Sequence, residues 1–253
     1  MISLRLLSKK DIAQITPYKE EQVSKKVQVQ RMFDRIAKHY DFLNHALSLG
    51  IDVSWRKKAV AMLADQPKGH FLDIATGTGD VAILLAQGYP EATIIGVDIA
   101  ERMLEIARKK SRRKGFDNRI RFSSGDSENL GFPGNTFDAV TVAFGVRNFE
   151  DLQKGLSEMY RVVRPGGKVV ILEFSKPRTF PFKHLFGLYF KYLLPFIGSL
   201  QSKDKRAYRY LYESVQAFPD YDRFNTELIK AGWKNPGCHI LTMGICAIYT
   251  AFK

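Results

Sequence analysis

From His70 onward the apolar residues of this chain fall into short runs of strand length, separated by longer stretches in which they recur every three or four positions. The runs at 71–75, 93–97, 119–123, 137–143 and 168–174 alternate with helical stretches at 79–88, 101–114 and 150–163. That order predicts a doubly wound α/β fold with parallel strands and right-handed crossovers. The tetrapeptide Arg164-Pro165-Gly166-Gly167 should end the third of these helices and admit the fifth strand, because Pro cannot continue a helix and Gly accepts positive φ. A further helix over 221–232, closed by Gly232, leads to runs at 238–243 and 246–252 that would finish a mostly parallel, seven-stranded sheet with a hairpin.

Two regions stand outside this alternation. Val27, Met32, Phe33, Ile36, Tyr40, Leu43 and Leu47 follow helical spacing, predicting one or two N-terminal helices across the ligand-binding mouth, with Trp55 anchoring their continuation. The first twenty residues show no sustained period, so residues 1–24 are expected as a flexible or loosely docked arm and 25–253 as one domain. Between the fifth strand and the helix at 221 lies an insertion, 176–219, too long for an ordinary connection. In it Phe182, Leu185, Phe186, Tyr189, Phe190, Leu193 and Phe196 share a broad helical face, interrupted by Lys191 and Pro195. It falls short of the ~20 apolar residues that cross a bilayer. An interfacial or lid helix fits it, and so does a core or dimer helix.

The chain of 253 residues can bury a core without staples, and its two cysteines, Cys238 and Cys246, read as reduced core residues of a cytoplasmic protein. The N-terminus lacks the long apolar region of a signal peptide. A net charge of +13 is more informative, because clustered charge gathers anionic partners. Residues 108–121 carry eight basic residues against one acidic and read as the solvated face of a surface helix. Residues 176–209 again carry eight, against Asp204 alone, interleaved with aromatics. That mixture suits an anionic membrane surface and is too apolar for a phosphate track.

The candidate chemistry begins where the first strand empties into FLDIATGTGD, with Asp73 and the turn Gly77-Thr78-Gly79 as candidate cofactor-binding residues. Such a turn brings bare backbone N–H groups to a ligand, and Asp98, 19 positions after Gly79, stands where a carboxylate meets a ribose diol. The third glycine of a dinucleotide site is missing, and Asp80 would set a carboxylate beside two phosphates. A ligand without phosphates, S-adenosyl-L-methionine, has no such objection and is preferred to a dinucleotide or an empty tight turn. After the third strand, Asp126 and Ser127 are placed to accept the adenine amino group, although turn chemistry alone would also select them. After the fourth, Gly145 allows close approach, and Arg147 and Asn148 stand where a planar cation could hold an oxyanion. A plain N-cap by Asn148, with Arg147 pairing Glu150 or Asp151, is the competing reading.

The strings YDFLNHALSLGIDVSW at 40–55, DIATGTGD at 73–80, FGVRN at 144–148 and YRVVRPGGKVVILEFSKP at 160–177 resemble the C-methyltransferases of menaquinone and ubiquinone biosynthesis, from about Lys25 to the C-terminus. The chain departs from that pattern at Leu43, usually Met, at Asp52, usually His, and at Ala143, often Ser. The resemblance implies a class I S-adenosyl-L-methionine-dependent fold, with the cofactor held by Thr78, Asp98, Asp126 and Ser127 over the backbone of Gly77 and Gly79. It implies a polyprenylated quinol as substrate, most simply demethylmenaquinol, with 2-methoxy-6-polyprenyl-1,4-benzoquinol as the alternative ring. Arg147, Asn148 and Tyr40 would then lie at the reacting ring, Arg147 as oxyanion or relay residue, with no metal. The polyprenyl tail implies peripheral work at the inner face of a membrane, with homodimerisation through the insertion open. A nucleic-acid methyltransferase and a non-catalytic cofactor-binding scaffold are the readings from other classes.

Overall fold

The computed structural model describes residues 12–66, 68–188 and 205–253. Its sheet is built from β1 (His70–Ile74), β2 (Thr93–Asp98), β3 (Ile120–Ser124), β4 (Phe137–Ala143), β5 (Val163–Phe174), β6 (Lys234–Leu241) and β7 (Cys246–Phe252). The strands lie in the order β3-β2-β1-β4-β5-β7-β6. The first five are parallel, and β7 runs antiparallel to both β5 and β6. Strand order therefore reverses between β1 and β4, which opens a crevice at their carboxyl ends.

Period-two alternation divides the strands between two cores. Leu72, Val140, Val169 and Ile171 face α5 (Leu152–Val162) and α8 (Asp222–Lys230), while Phe71, Ala139, Val170 and Leu172 face α2 (Ile51–Ala61) and α3 (Asp80–Gly88). α4 (Glu101–Arg113) connects β2 to β3. Helix ends are tied by side chains near and far in sequence. Asp151 accepts from the Lys154 N–H to cap α5 (3.0 Å). Arg119 donates to the carbonyls of Ala86 and Tyr89 at the negative end of α3. Gly232, at φ +96, closes α8 in the left-handed conformation the sequence called for.

The expected elements match the observed ones apart from their edges. β5 starts at Val163, so Arg164-Pro165-Gly166-Gly167 lies within a bulged strand instead of before it, and the Gly166 N–H donates to the Lys253 carbonyl. Helix α1 (Lys25–Leu47) crosses the carboxyl end of the sheet as anticipated. The expected arm is narrowed: Ile12, Ile15 and Tyr18 are buried, and Lys25 Nζ ties the Ile12 carbonyl to those of Arg147 and Phe149. Of the insertion, α6 (Phe182–Leu188) and α7 (Lys205–Ala217) are described, whereas the face formed by Tyr189, Phe190, Leu193 and Phe196, with Lys191 and Pro195, lies outside the described residues. Among the described residues no helix is long and apolar enough to cross a membrane. Both cysteines are free, and burial raises both thiols, Cys238 to about 11, in keeping with inert thiols.

Candidate active site

The site grows from the end of β1. Ala75, Gly77 and Gly79 all have positive φ (+51, +55 and +83), and this sequence of left-handed residues turns the chain sharply into α3. The turn is pinned to β2 by Asp98, whose Oδ2 accepts from the Gly77 N–H (2.8 Å) and whose Oδ1 accepts from Ala100 (2.9 Å). Burial outweighs these bonds and raises Asp98 to about 6.

A pocket opens beside Asp98, walled by Val29, Phe33 and Tyr40 of α1 on one side and by Phe144 and Gly145 on the other. Its far end holds Asp126, Ser127, Glu128 and Glu150. Lys26 enters there from α1, donating to Asp126 (2.6 Å) and pairing with Glu128 (3.3 Å). Four carboxylates against one ammonium make this pocket hostile to a pyrophosphate and suited to a cationic ligand.

A second, larger cavity of ≈ 320 Å³ adjoins the first. The two share Phe33, Tyr40, Phe144 and Asn148 as lining residues. Most of its wall is apolar, with Trp55, Phe174 and Phe186 prominent, but Asp52, Arg56 and Arg147 also line it. Arg147 sits in the short helical turn Val146–Asn148, where its Nη1 donates to Glu173 (2.7 Å) and to the Phe144 carbonyl. Its Nε is buried and has no hydrogen-bond partner. Asn148 donates to the same Phe144 carbonyl and accepts from the Tyr210 hydroxyl (3.1 Å). Burial raises the Tyr40 phenol, opposed by the fields of Arg56 and Arg147.

The structure thus brings Gly77, Asp98, Asp126 and Ser127 to one pocket, Arg147 to the neighbouring one, and Tyr40 and Asn148 to their junction. Asp73 and Thr78 are placed elsewhere. Asp73 is buried and accepts from the hydroxyls of Thr76 and Thr141, which makes it a brace between β1 and β4. The Thr78 hydroxyl points to Asp41 and Lys110. Gly79 is the N-cap of α3, where a Cβ would press on Ala107 and Phe122 at 3.0 Å, so its contribution is to the turn.

Three sequence arguments change. Asp80 is engaged by Lys110 and lies 3.9 Å from Arg56, so its charge is matched locally and the case against phosphate rests on the pocket carboxylates instead. Lys110 accordingly leaves the solvated face expected for 108–121 and also pairs with Asp41 (2.8 Å). The N-cap reading of Asn148 fails, because Asp151 caps α5 and Arg147 pairs with Glu173. The pairings of Lys26, Arg56, Lys110 and Glu173 carry no local sequence signal, although Glu173 stands in the string at 160–177 that carries the family resemblance. Their partners lie on other elements, except that Arg56 follows Asp52 by one helical turn on α2. Asp52 itself is buried against His45, Ser48 and Arg56. Burial would raise its carboxyl, but these three partners hold it below the ordinary value.

The model of the ubiE/COQ5 methyltransferase family matches residues 21–253. A demethylmenaquinone methyltransferase of Bacteroides fragilis is 47% identical over 239 residues, 94% of this chain and 97% of that protein. A ubiquinone/menaquinone biosynthesis C-methyltransferase UbiE of Geotalea daltonii is 47% identical over 226 residues, 89% of this chain and 96% of that one. Among solved structures, a SAM-dependent methyltransferase of Thermotoga maritima superposes with a TM-score of 0.62 at 20% identity, covering 88% of this chain and 99% of that one, a likeness of fold. With the family model spanning nearly the whole chain and close relatives matched end to end, this chain belongs to the ubiE/COQ5 methyltransferase family.

Proposed function

We infer that this chain is an S-adenosyl-L-methionine-dependent C-methyltransferase that converts demethylmenaquinol to menaquinol, with the ring of 2-methoxy-6-polyprenyl-1,4-benzoquinol as the alternative acceptor. The carrying observation is the pair of cavities that meet at Tyr40, Phe144 and Asn148, one acidic with a ribose acceptor, the other apolar with a buried arginine whose Nε lacks a partner.

The residues fit the cofactor. Asp98 would accept from the ribose hydroxyls, Asp126 and Ser127 would meet the adenine, and the backbone around Gly77 would take the methionine end. When bound, the cofactor supplies a methyl group on a cationic sulfur. The chain's own task is to make a ring carbon nucleophilic. A phenol with pKa about 10 is almost wholly neutral at pH 7, so stabilising its anion is the available lever. Arg147 carries a fixed positive charge in a low-dielectric wall, with Glu173 holding its Nη1 from behind and Nε left to donate. Asn148 and Tyr40 orient the ring at the junction.

Peripheral association with an anionic membrane is part of this proposal. Leu49, Ile51 and Phe182 line the larger cavity and are also exposed, which supports a tail leaving through that side. In the described part of the basic segment two cations are matched locally, Lys176 by Asp220 (3.4 Å) and Arg206 by Glu20 (3.0 Å). Methyl transfer from labelled cofactor to the two reduced quinols, side by side in anionic and in neutral liposomes at low and high salt, tests the whole reading. Turnover of one ring identifies the reaction, and loss of rate in neutral liposomes or high salt supports the membrane. Cofactor binding with silence on both rings would overturn the reaction, and equal rates in all liposomes would overturn the membrane.

A further inference from the structure

Two buried arginines, not one, frame the aromatic wall of the larger cavity. The rings of Phe144 and Phe174 lie 4.7 Å apart. The Arg56 guanidinium lies over Phe144 at 5.4 Å, and that of Arg147 over Phe174 at 5.5 Å. Both line the cavity and both are almost wholly buried, at 5% and 6% exposure. Each is backed by a buried carboxylate, Asp52 for Arg56 and Glu173 for Arg147.

The two pairs differ in one respect. Glu173 does not line the cavity, whereas Asp52 does. The Arg147 pair therefore offers only a donor to a bound ring, while the Asp52–Arg56 pair offers an acceptor and a donor together. A neutral phenol has the same needs, one hydrogen to give and a lone pair to fill. A 1,4-quinol carries one oxygen on each side of its ring. If the oxygen next to the reacting carbon meets Arg147 and Asn148, the oxygen across the ring must find another partner or be desolvated without one. Asp52 and Arg56 are the remaining charged residues of this cavity among the described residues.

We propose that Arg56, held by Asp52, is a positioning residue that binds the far hydroxyl of the quinol and so selects a 1,4-diol over a monophenol. The inference rests on the quinol reading above. It assigns a role to a pair that the glycine turn and the Arg147-Asn148 motif do not touch. Arg56 acts on ring placement and not on the ionised oxygen.

The test compares wild type, Arg56→Lys and Asp52→Asn on demethylmenaquinol and on the matching monophenol, in which hydrogen replaces the far hydroxyl. Arg56→Lys keeps a positive charge opposite Asp52 but loses the planar fork. The effect of the hydroxyl on ring reactivity is common to all three proteins and cancels in the ratio of kcat/KM for the two acceptors. A lost hydrogen bond involving a charged group should shrink that ratio by about tenfold to a hundredfold in either variant. Titration of the two acceptors without cofactor should show the same loss for the quinol and little for the monophenol, with cofactor affinity unchanged. An unchanged ratio, or equal losses on both acceptors, would overturn the assignment. Failure of the wild type to methylate either acceptor would remove the methyl-transfer reading instead, and the binding arm would still decide whether Arg56 recognises the far hydroxyl.

Discussion

The buried pair between Arg147 and Glu173 allows stability and catalysis to be separated by mutation. Glu173 is fully buried at the end of β5, where one carboxylate oxygen accepts from Arg147 Nη1 (2.7 Å) and from the Phe174 N–H (2.9 Å). Burial raises its carboxyl, opposed chiefly by the Arg147 charge. In Glu173→Ala the guanidinium stays buried with the Phe144 carbonyl as its remaining acceptor, and an uncompensated buried charge costs about 3–5 kcal/mol. For a chain of this size each kcal/mol moves the midpoint about 2–4 °C, so Tm should fall by roughly 6–20 °C. Replacing both partners, as Arg147→Met with Glu173→Leu, removes the stranded charge and should restore most of that loss, since apolar replacements of buried pairs are often neutral or better. Calorimetry and urea unfolding of Arg147→Met, Glu173→Leu and the double close the cycle, with Glu173→Ala measured beside them. The double should be stable, bind cofactor and remain inactive on the quinol. A cost under about 1 kcal/mol for Glu173→Ala, or a double no more stable than the single, would refute the claim that Glu173 exists to hold a buried cation.

Burial raises Asp98 to about 6, and in the proposed site its ionised form accepts the ribose hydroxyls, so cofactor affinity measured by calorimetric titration should fall about tenfold per pH unit below 6. The stability effect has the opposite sign. Asp73 and Asp98 both bind protons more tightly folded than at their unfolded value of 3.8, so their contribution is full below 3.8 and is lost as pH rises through about 6. The urea midpoint of the ligand-free protein should reveal it. In Gly145→Ala the new Cβ would lie 2.7 Å from the Ala75 Cβ and 2.8 Å from Val142 Cγ1, and overpacking there should cost about 1–3 kcal/mol and weaken cofactor binding, both read by titration and unfolding. Lys25→Met removes the ammonium that donates to the carbonyls of Ile12, Arg147 and Phe149. A loss of about 1–3 kcal/mol, with faster proteolysis between residues 12 and 24, is expected.

What could be read from the sequence was local. The glycine turn, the N-terminal helix across the mouth and the hairpin of β6 and β7 each follow from residues adjacent in the chain, where period, turn chemistry and capping act. The place of Asp98 beside the turn was legible because the βαβ unit fixes its separation from Gly77 within narrow bounds. Asp73 and Thr78 lie inside the same motif, yet their side chains turn to Thr141, on the next strand, and to Asp41, on α1. A motif constrains the path of the backbone more tightly than the direction of each side chain along it.

The charged residues that shape the site follow a different rule. Lys26 meets Asp126 from 100 positions away, and Lys110 meets Asp41 from 69. No periodicity carries such pairs, because each depends on which helix the topology lays over which strand. Their arrangement still has a common logic. Asp41 and Lys110 adjoin Thr78 in the glycine turn, Lys110 engages Asp80, Asp80 lies beside Arg56, and Arg56 holds Asp52 on the wall of the larger cavity. A continuous series of alternating charges therefore joins the glycine turn to the wall of the larger cavity through α1, α2, α3 and α4. Lys110 and Asp80 each sit between oppositely charged partners, so removing either strands charge on both sides, whereas Asp52 ends the series at the larger cavity with Arg56 as its partner. Lys110 and Asp80, more than the glycine turn, are therefore the positions where substitution should disturb both pockets at once.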